Sequence, residues 1–158
     1  MKKITSFTID HTKLLPGLYV SREDIAGDNV VTTFDIRVCK PNTLNVMGTG
    51  EIHTIEHIIA TYLRNHEQWS DKVIYFGPMG CRTGFYMILS GKYSSNDILP
   101  LVHECFSFTA NFSGDIPGAT AIECGNYLDM DLPTAKKRSA DYIATLDNIT
   151  PCQLVYPV

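Results

Sequence analysis

The spacing of apolar residues predicts three strands. From residue 30 to residue 38, apolar or threonine side chains alternate with a second set that includes Asp35 and Arg37. A period of two is typical of a strand with one buried face. Two further runs rich in β-forming residues, 73–76 and 83–89, lie on either side of a Gly-Pro turn and predict two strand segments joined at a sharp bend.

Three helices are predicted between and after these strands. Apolar residues repeat at helical spacing from about residue 50 to residue 69, with Thr49 as the expected N-cap. A second helix is expected at residues 95–112, and a third is expected to be capped by Asp131 and to continue to about Leu146. The elements do not form regular βαβ units. We therefore predict an α+β fold, a two-layer sandwich in which helices cover one face of a mainly antiparallel sheet.

Length and composition fit a single domain spanning residues 1–158, since the hydrophobic fraction of 44% is ordinary for a globular protein. A net charge of −4 argues against a nucleic-acid-binding protein that relies on a general basic field. No apolar run approaches the roughly 18 residues of a membrane span, and polar residues interrupt any signal-peptide core. We expect a cytoplasmic protein without a membrane or nucleic-acid partner.

The five cysteines are odd in number and scattered, so they are interpreted as thiols rather than as a disulfide framework. Cys39, Cys105 and Cys152 are expected to be buried and unreactive. Cys81 differs because it follows a Gly-Pro-Met-Gly turn at a strand end, where a thiol can act as a nucleophile or as an acid and base. A packed thiol is the alternative that the sequence leaves open at this position.

The motif HTIEH places His53 and His57 one helical turn apart on one face, with Glu56 in the same sector. Two imidazoles at this spacing can bind one metal ion, although two histidines on a solvated helix flank would give the same pattern. Cys124, which precedes a glycine, offers a third and soft ligand. One thiolate with two imidazoles suits iron(II), zinc or cobalt. The HxxEH pattern also occurs in metallopeptidases, so the motif alone does not name a reaction.

Taken together, the motifs resemble those of one family, the S-ribosylhomocysteine lyase (LuxS) family. The resemblance extends from about residue 6 to about residue 146, and its segments occur in the family's order and spacing. The matching segments are residues 6–11 (SFTIDH), 34–37 (FDIR), 52–57 (IHTIEH), 78–86 (PMGCRTGFY) and 124–125 (CG).

The resemblance implies an activity and a cofactor. The family cleaves S-ribosyl-L-homocysteine to L-homocysteine and 4,5-dihydroxy-2,3-pentanedione, the precursor of autoinducer-2, by carbonyl migration and β-elimination of the thioether. By this resemblance, His53, His57 and Cys124 would hold one iron(II) per subunit, for which zinc or cobalt can substitute. Glu56 and Cys81 would form the acid–base pair.

The resemblance also implies a homodimer with sheets packed across the interface and two active sites there. Ser6, His11 and Arg37 of one subunit would bind substrate in the pocket of the other, so Arg37 and Cys81 of one site would come from different subunits. Tyr75 stands where many relatives have an aspartate. The alternatives are an HxxEH metallopeptidase and a non-catalytic metal-binding module.

Overall fold

The computed structural model of the protein describes residue 2 and residues 4–157. The strands and helices are β1 (Gly17–Ala26), β2 (Asn29–Arg37), α1 (Thr49–Arg64), β3 (Val73–Pro78), β4 (Gly84–Ser90), α2 (Ser95–Ala110) and α3 (Leu132–Asp147). Short 3-10 helices lie at Thr5–Phe7, Ser70–Lys72 and Pro151–Gln153. The described part of the chain contains no helix that is long and apolar enough to cross a membrane.

The strands form one antiparallel sheet in the order β1-β2-β4-β3, and the three helices pack on it. This arrangement confirms the predicted α+β class. Between the two layers lies an apolar core in which the rings of Phe76, Phe85 and Phe106 contact one another in sequence. Each fully buried side chain of this size contributes about 1.5–3 kcal/mol, so the core is the main source of stability for the sheet that carries the site.

The central strand β2 is buried on both faces, whereas its sequence predicted one buried face. Phe34 and Ile36 point into the core, and Asp35 and Arg37 are buried on the opposite face, which we call the outer face of the sheet. The polar outer face is tolerated because Asp35 and Arg37 pair with each other and Tyr156 of the C-terminal tail covers Asp35. Burial on both sides fixes the position of Arg37.

Strand β1 was not predicted from the sequence. Its first residues are buried, but the remainder is exposed and carries several charges. The pairing with β2 shifts between Val20 and Arg22, which is a β-bulge. An inserted residue breaks the period of two, because the side chains that follow it change face.

Helix boundaries differ modestly from the predicted ones. Helix α1 begins one residue earlier than expected, with Gly48 rather than Thr49 as N-cap, and the Glu51 carboxylate accepts a hydrogen bond from the Gly48 amide at 2.9 Å. It ends at Arg64, earlier than predicted. The third helix is capped as expected, since the Asp131 carboxylate accepts a hydrogen bond from the Thr134 amide at 3.0 Å.

Candidate active site

Helix α1 and the segment that joins α2 to α3 bring three metal-ligating side chains together. The ligand atoms of His53, His57 and Cys124 all lie within 4.8 Å of one another, and we call this trio the metal cluster. Cys124 Sγ lies 3.4 Å from His53 Nε2. The pair expected one helical turn apart therefore does face a common point, and the predicted third residue reaches the same point from a distant part of the chain.

Backbone carbonyls orient both imidazoles. His53 Nδ1 lies 2.9 Å from the carbonyl oxygen of Asp129, and His57 Nδ1 lies 2.7 Å from that of Pro117. A carbonyl oxygen can only accept, so each Nδ1 carries the proton and each Nε2 presents its lone pair to the cluster. Partners of this kind on the outer nitrogen are typical of metal-binding histidines.

Hydrogen bonds to the first turns of α1 hold the part of the segment that supplies the Asp129 carbonyl. The Asp131 amide donates to the Thr54 hydroxyl oxygen at 2.9 Å, and the Thr54 hydroxyl donates to the Gly50 carbonyl at 2.8 Å. Thr49 donates to the Asp129 carboxylate at 3.1 Å. The carbonyl of Asp129 is thus fixed relative to the helix that carries His53.

A glycine permits the close approach of the second carbonyl. Gly118 has φ +68°, in the left-handed region, and a Cβ there would lie 3.3 Å from His57 Nδ1. Any larger residue would press on the imidazole and would also be strained in its backbone. The turn at Pro117 and Gly118 is therefore matched to the orientation of His57.

The donor set fits a borderline-soft divalent metal. Tetrahedral bonds of about 2.0 Å to nitrogen and about 2.3 Å to sulfur place neighbouring ligand atoms roughly 3.5 Å apart, close to the distance between Cys124 Sγ and His53 Nε2. Iron(II), zinc and cobalt accept such ligands, whereas magnesium and calcium prefer oxygen. Three protein ligands leave a coordination position open, which is typical of catalytic rather than structural metal sites.

Glu56 lies beside the metal cluster without belonging to it. Its Oε2 is 3.7 Å from His57 Nε2, and the side chain is partly exposed. A carboxylate in this position can exchange protons with a molecule bound at the cluster, since general acid–base chemistry requires a group close to the reacting atoms.

A second group of candidate residues lines a cleft of about 520 Å³, which we call the thiol cleft. Its walls include Ser6, His11, Arg37, Cys81, Thr83 and Tyr86, all from one chain. Cys81 is exposed in the connection between β3 and β4, as its turn predicted. The three residues expected to bind substrate therefore gather around the candidate catalytic thiol.

The register between β2 and β4 places Arg37 next to Cys81. Arg37 pairs with Gly84, where a Cβ would lie 2.2 Å from the Ile36 carbonyl oxygen, so only glycine allows the strands to approach in this way. Arg37 Nη1 lies 3.8 Å from Cys81 Sγ and donates to the Thr83 hydroxyl. Because that oxygen accepts from Arg37, its own proton is available to Cys81 Sγ, 3.1 Å away.

These contacts favour the thiolate form of Cys81. Partial burial by itself raises the pKa of the thiol, but the hydrogen bonds from Thr83 and the positive charge of Arg37 outweigh that effect. The pKa of Cys81 is consequently lowered from its ordinary value. A thiolate that is both accessible and stabilised can remove a proton from a bound molecule.

The metal cluster and the thiol cleft are separate within one chain. The walls of the thiol cleft include neither the three ligands nor Glu56. Arg37 contacts Cys81 of its own chain, so the expectation that a shared site takes them from different subunits is wrong. The reason is the pairing of β2 with β4, which brings the two residues to the same end of the sheet.

Several residues of the two groups were not predicted from the sequence. Thr83 bridges Arg37 and Cys81, and Asp35 pairs with Arg37 on the buried outer face. The i, i+2 spacing of Asp35 and Arg37 on one strand face could have indicated a pair. The Pro117 and Asp129 contacts use backbone carbonyls, for which a sequence carries no residue-type signal.

The remaining cysteines follow the predictions in part. Cys39 and Cys105 are buried, as expected, and burial raises the pKa of both thiols. Cys152 is exposed, so the expectation of a buried thiol is wrong for this residue. It lies in the short 3-10 helix of the tail, which rests on the surface instead of entering the core.

The fold and the two groups of residues define a class of protein: an α+β domain with a His-His-Cys metal cluster and an accessible, activated thiol. Sequence comparison identifies the family, because residues 4–151 match the family model described as S-Ribosylhomocysteinase (LuxS). The S-ribosylhomocysteine lyase of Clostridium acetobutylicum is 58% identical over 157 residues, and that of Clostridium beijerinckii is 60% identical over 158 residues; each match covers 99% of both chains. The S-ribosylhomocysteine lyase of Desulfotalea psychrophila is 54% identical over 158 residues, 99% of both chains. The chain belongs to the S-ribosylhomocysteinase (LuxS) family, as the resemblance predicted.

Proposed function

We propose that this protein is a metal-dependent S-ribosylhomocysteine lyase that converts S-ribosyl-L-homocysteine to L-homocysteine and 4,5-dihydroxy-2,3-pentanedione. The observation that carries the proposal is the 58% identity to the Clostridium acetobutylicum S-ribosylhomocysteine lyase over 99% of both chains. The cysteine donor supports the same conclusion. An HxxEH metallopeptidase usually takes a carboxylate as its third ligand, whereas the third donor here is the Cys124 thiol.

In this proposal His53, His57 and Cys124 hold one divalent ion per subunit, iron(II) in the native protein, with zinc or cobalt able to substitute. The chemistry that such an ion supplies is Lewis acidity, which stabilises negative charge on substrate oxygens by several kcal/mol. The trio keeps its nitrogen lone pairs directed at one point through the Asp129 and Pro117 carbonyls. The ligands therefore need little rearrangement to bind the ion.

Cys81 is assigned as the base of the carbonyl migrations. The ribose aldehyde is at C1 and the thioether at C5, so the carbonyl must move to C3 before the C–S bond can break. Each migration removes a proton from the carbon next to the carbonyl and returns one to the carbon that carried the carbonyl before. The Cys81 sulfur suits this exchange because Thr83 and Arg37 stabilise its thiolate and the cleft exposes it.

Glu56 is assigned to the hydroxyl protons and to the elimination. With the carbonyl at C3, loss of the C4 proton to a base allows the electron pair to form the C4–C5 double bond while the C5–S bond breaks. The sulfur leaves with the bonding pair and takes up a proton to become the thiol of homocysteine. The position of Glu56, 3.7 Å from His57 Nε2, places its carboxylate next to the metal cluster.

Ser6, His11 and Arg37 are assigned to substrate binding. Ser6 and His11 come from the N-terminal segment and face the same cleft as Cys81. His11 Nδ1 lies 2.9 Å from the Ile9 carbonyl oxygen, which orients the ring within its segment. Arg37 is held by Asp35 on one side, so its contribution to substrate binding comes through the guanidinium edge beside Cys81 and Thr83.

A homodimer would bring the two groups together. In this arrangement the thiol cleft of one subunit faces the metal cluster and Glu56 of its partner, and a two-fold axis generates two such sites. Exposed apolar side chains near both groups support an interface there: Phe7 at the cleft is 70% exposed, and Ile122 and Leu128 in the segment that carries Cys124 are 98% and 79% exposed.

The cellular setting follows from the substrate. We propose a cytoplasmic enzyme that returns homocysteine for methionine synthesis and releases the precursor of autoinducer-2, which links it to quorum sensing. A small-molecule substrate and a second copy of the chain are the proposed partners. Neither nucleic acid nor a membrane is a partner in this proposal, consistent with the net charge of −4.

The deciding experiment measures release of free thiol from S-ribosyl-L-homocysteine by anaerobically purified protein, with metal content determined on the same preparation. We expect turnover by the natural chain, and we expect Cys81→Ala to retain its metal while losing about 10²–10⁴-fold in rate. Cys152→Ala is the matched control, because it removes an exposed thiol that does not line the cleft. Absence of turnover in the natural chain contradicts the lyase function, and full turnover by Cys81→Ala removes this residue from the mechanism.

A further inference from the structure

The C-terminal tail reaches the outer face of the sheet at the buried pair that supports the thiol cleft. The Tyr156 hydroxyl donates a hydrogen bond of 2.8 Å to Asp35 Oδ2, the same oxygen that Arg37 contacts. The Tyr156 ring stacks on the ring of Tyr19, with 4.9 Å between centroids and 11° between planes. Tyr156 thus contacts Asp35, and Asp35 pairs with the guanidinium of Arg37 that contacts Cys81.

Further hydrogen bonds hold the tail in place ahead of Tyr156. Gln153 Nε2 donates to the Pro16 carbonyl at 2.8 Å, and Ser95 donates to the Leu154 carbonyl at 3.0 Å. These bonds connect the tail to the start of β1 and to the start of α2. The tail is therefore held by contacts other than the Tyr156 hydroxyl, namely these two bonds and the stacking on Tyr19.

We propose that Tyr156 is a positioning residue for the lyase reaction, because its hydroxyl shares the negative charge of Asp35 with Arg37 and thereby sets how much of the positive charge of Arg37 acts on the Cys81 sulfur. The catalytic part of this inference rests on the proposed function. The electrostatic part concerns Cys81 alone and can be measured without substrate.

The Asp35 carboxylate is held by two side chains, Arg37 and Tyr156. It is almost fully buried, and among the described residues Oδ1 has no hydrogen-bond partner. Tyr156 and Arg37 therefore share the task of stabilising one buried negative charge. If the tyrosine hydroxyl is removed, Arg37 alone compensates the charge of Asp35, so less of the positive charge of the guanidinium acts on Cys81.

The surroundings of Cys81 determine the sign of the effect. Within one subunit, Arg37 from β2 is the cation that contacts the sulfur, while Tyr86 from β4 and His11 from the N-terminal segment line the same cleft. Asp35 contacts Nη2 of Arg37 and does not line the cleft. When Arg37 alone compensates the carboxylate of Asp35, less positive potential remains at the sulfur, so loss of the Tyr156 hydroxyl makes the thiol less acidic.

The test is the pH dependence of iodoacetamide alkylation of Cys81 in the full-length, metal-loaded protein. Trypsin cleavage after Lys72 and Arg82 gives a peptide of residues 73–82, in which Cys81 is the single cysteine, so mass spectrometry can follow this thiol alone. For Tyr156→Phe we expect the midpoint of alkylation to rise by about 0.5 of a pH unit, equivalent to a roughly threefold lower rate at neutral pH.

Tyr19→Phe is the matched control, because it removes the hydroxyl of the ring that stacks on Tyr156 but that hydroxyl donates to the Leu15 carbonyl instead of Asp35. Its midpoint should equal that of the natural chain. Tyr156→Leu, which removes ring and hydroxyl together, should shift the midpoint as far as Tyr156→Phe does. A shift in the leucine variant alone would assign the effect to ring packing and overturn the proposal, as would an unchanged midpoint in both.

The same variants separate this inference from the proposed function. In the lyase assay, Tyr156→Phe should lower kcat about threefold at neutral pH, leave KM unchanged and move the acidic limb of the pH profile upwards with the alkylation midpoint. Failure of the natural chain to release thiol would reject the lyase function while leaving the alkylation shift intact. An active natural chain with no shift in Tyr156→Phe would reject only the role of Tyr156.

Discussion

The metal cluster and the thiol cleft achieve their geometry by different means. In the metal cluster, carbonyl groups of the α2–α3 connection orient two imidazoles of one helix. In the thiol cleft, side chains buried in the sheet orient groups around an exposed cysteine, and a buried Asp35–Arg37 pair carries the charge. The first region depends on the conformation of a loop, and the second depends on strand register and electrostatics.

This difference leads to separate expectations for the two regions. Backbone changes near Pro117 should affect metal binding and leave the contacts of Cys81 with Arg37 and Thr83 in the same chain untouched. Side-chain changes in the sheet should shift the acidity of Cys81 and leave metal binding untouched. Most of the following experiments therefore change one region and measure the property that this region controls.

The largest effect is expected for His57→Ala, which removes one of the three proposed ligands. Loss of a partner behind a ligand typically costs 10–100-fold in metal affinity, and loss of the ligand itself should cost more than about 100-fold. Elemental analysis should show little metal, while Cys81 of the same chain keeps its contacts with Arg37 and Thr83. His103→Ala is the control, since that imidazole pairs with Asp147 on the surface. Full metal occupancy in His57→Ala would refute the assigned cluster.

The next largest effect tests whether the two regions meet across a dimer. Glu56→Gln and Cys81→Ala subunits should each be nearly inactive, but after mixing and exchange half of the dimers should be mixed, so about a quarter of all sites carry no lesion. Activity should rise to about that fraction of the natural level. Glu56→Gln mixed with His57→Ala should not recover, because both lesions lie in the region of the metal cluster. Equal behaviour of the two mixtures, after verified exchange, would contradict the shared site.

A smaller effect is expected for Gly118→Ala. The added Cβ would lie 3.3 Å from His57 Nδ1, and the backbone there has φ +68°, so we expect metal affinity to fall by about tenfold, as for other changes behind a ligand. Gly27→Ala is matched in backbone strain, with φ +63° and no atom within 4 Å of the added Cβ. Competition with a chelator measures both variants. Equal affinities would show that the close contact with His57 is unimportant.

The smallest effect is expected for Thr83→Val, which removes the hydroxyl between Arg37 and Cys81 at nearly constant volume. The hydrogen bond lowers the pKa of Cys81 in the natural chain, so its loss should raise the pKa and reduce alkylation at neutral pH by roughly threefold. Thr109→Val is the control, because it removes a buried hydroxyl that donates to the Cys105 carbonyl in α2. A midpoint equal to that of the control would exclude Thr83 from the support of the thiolate.

The same division explains how much of the molecule the sequence could predict. The histidine pair was predictable because i, i+4 spacing on a helix is a local property. The neighbourhood of Cys81 was not, because its contact with Arg37 joins residues 44 apart in the chain and depends on strand pairing. Strand β1 was missed since its bulge breaks the alternation that identifies strands.

Residue types also decide what a sequence can indicate within a site. Cys124 and Glu56 have side chains whose chemistry suggests a role from the residue type alone. The carbonyls of Pro117 and Asp129 act through the backbone, so any residue at these positions offers the same atom. Their contribution depends on the path of the chain in three dimensions, which residue type does not encode.

The pairing of Asp35 with Arg37 constrains how this protein can change during evolution. Replacing one partner leaves the other as an isolated buried charge, at a cost of about 3–5 kcal/mol, which is a large part of the roughly 5–15 kcal/mol that stabilises a typical domain. Replacing both avoids that cost but removes the cation beside Cys81. A mutation of either residue alone is therefore expected to reduce fitness, and we expect the two positions to change together or not at all.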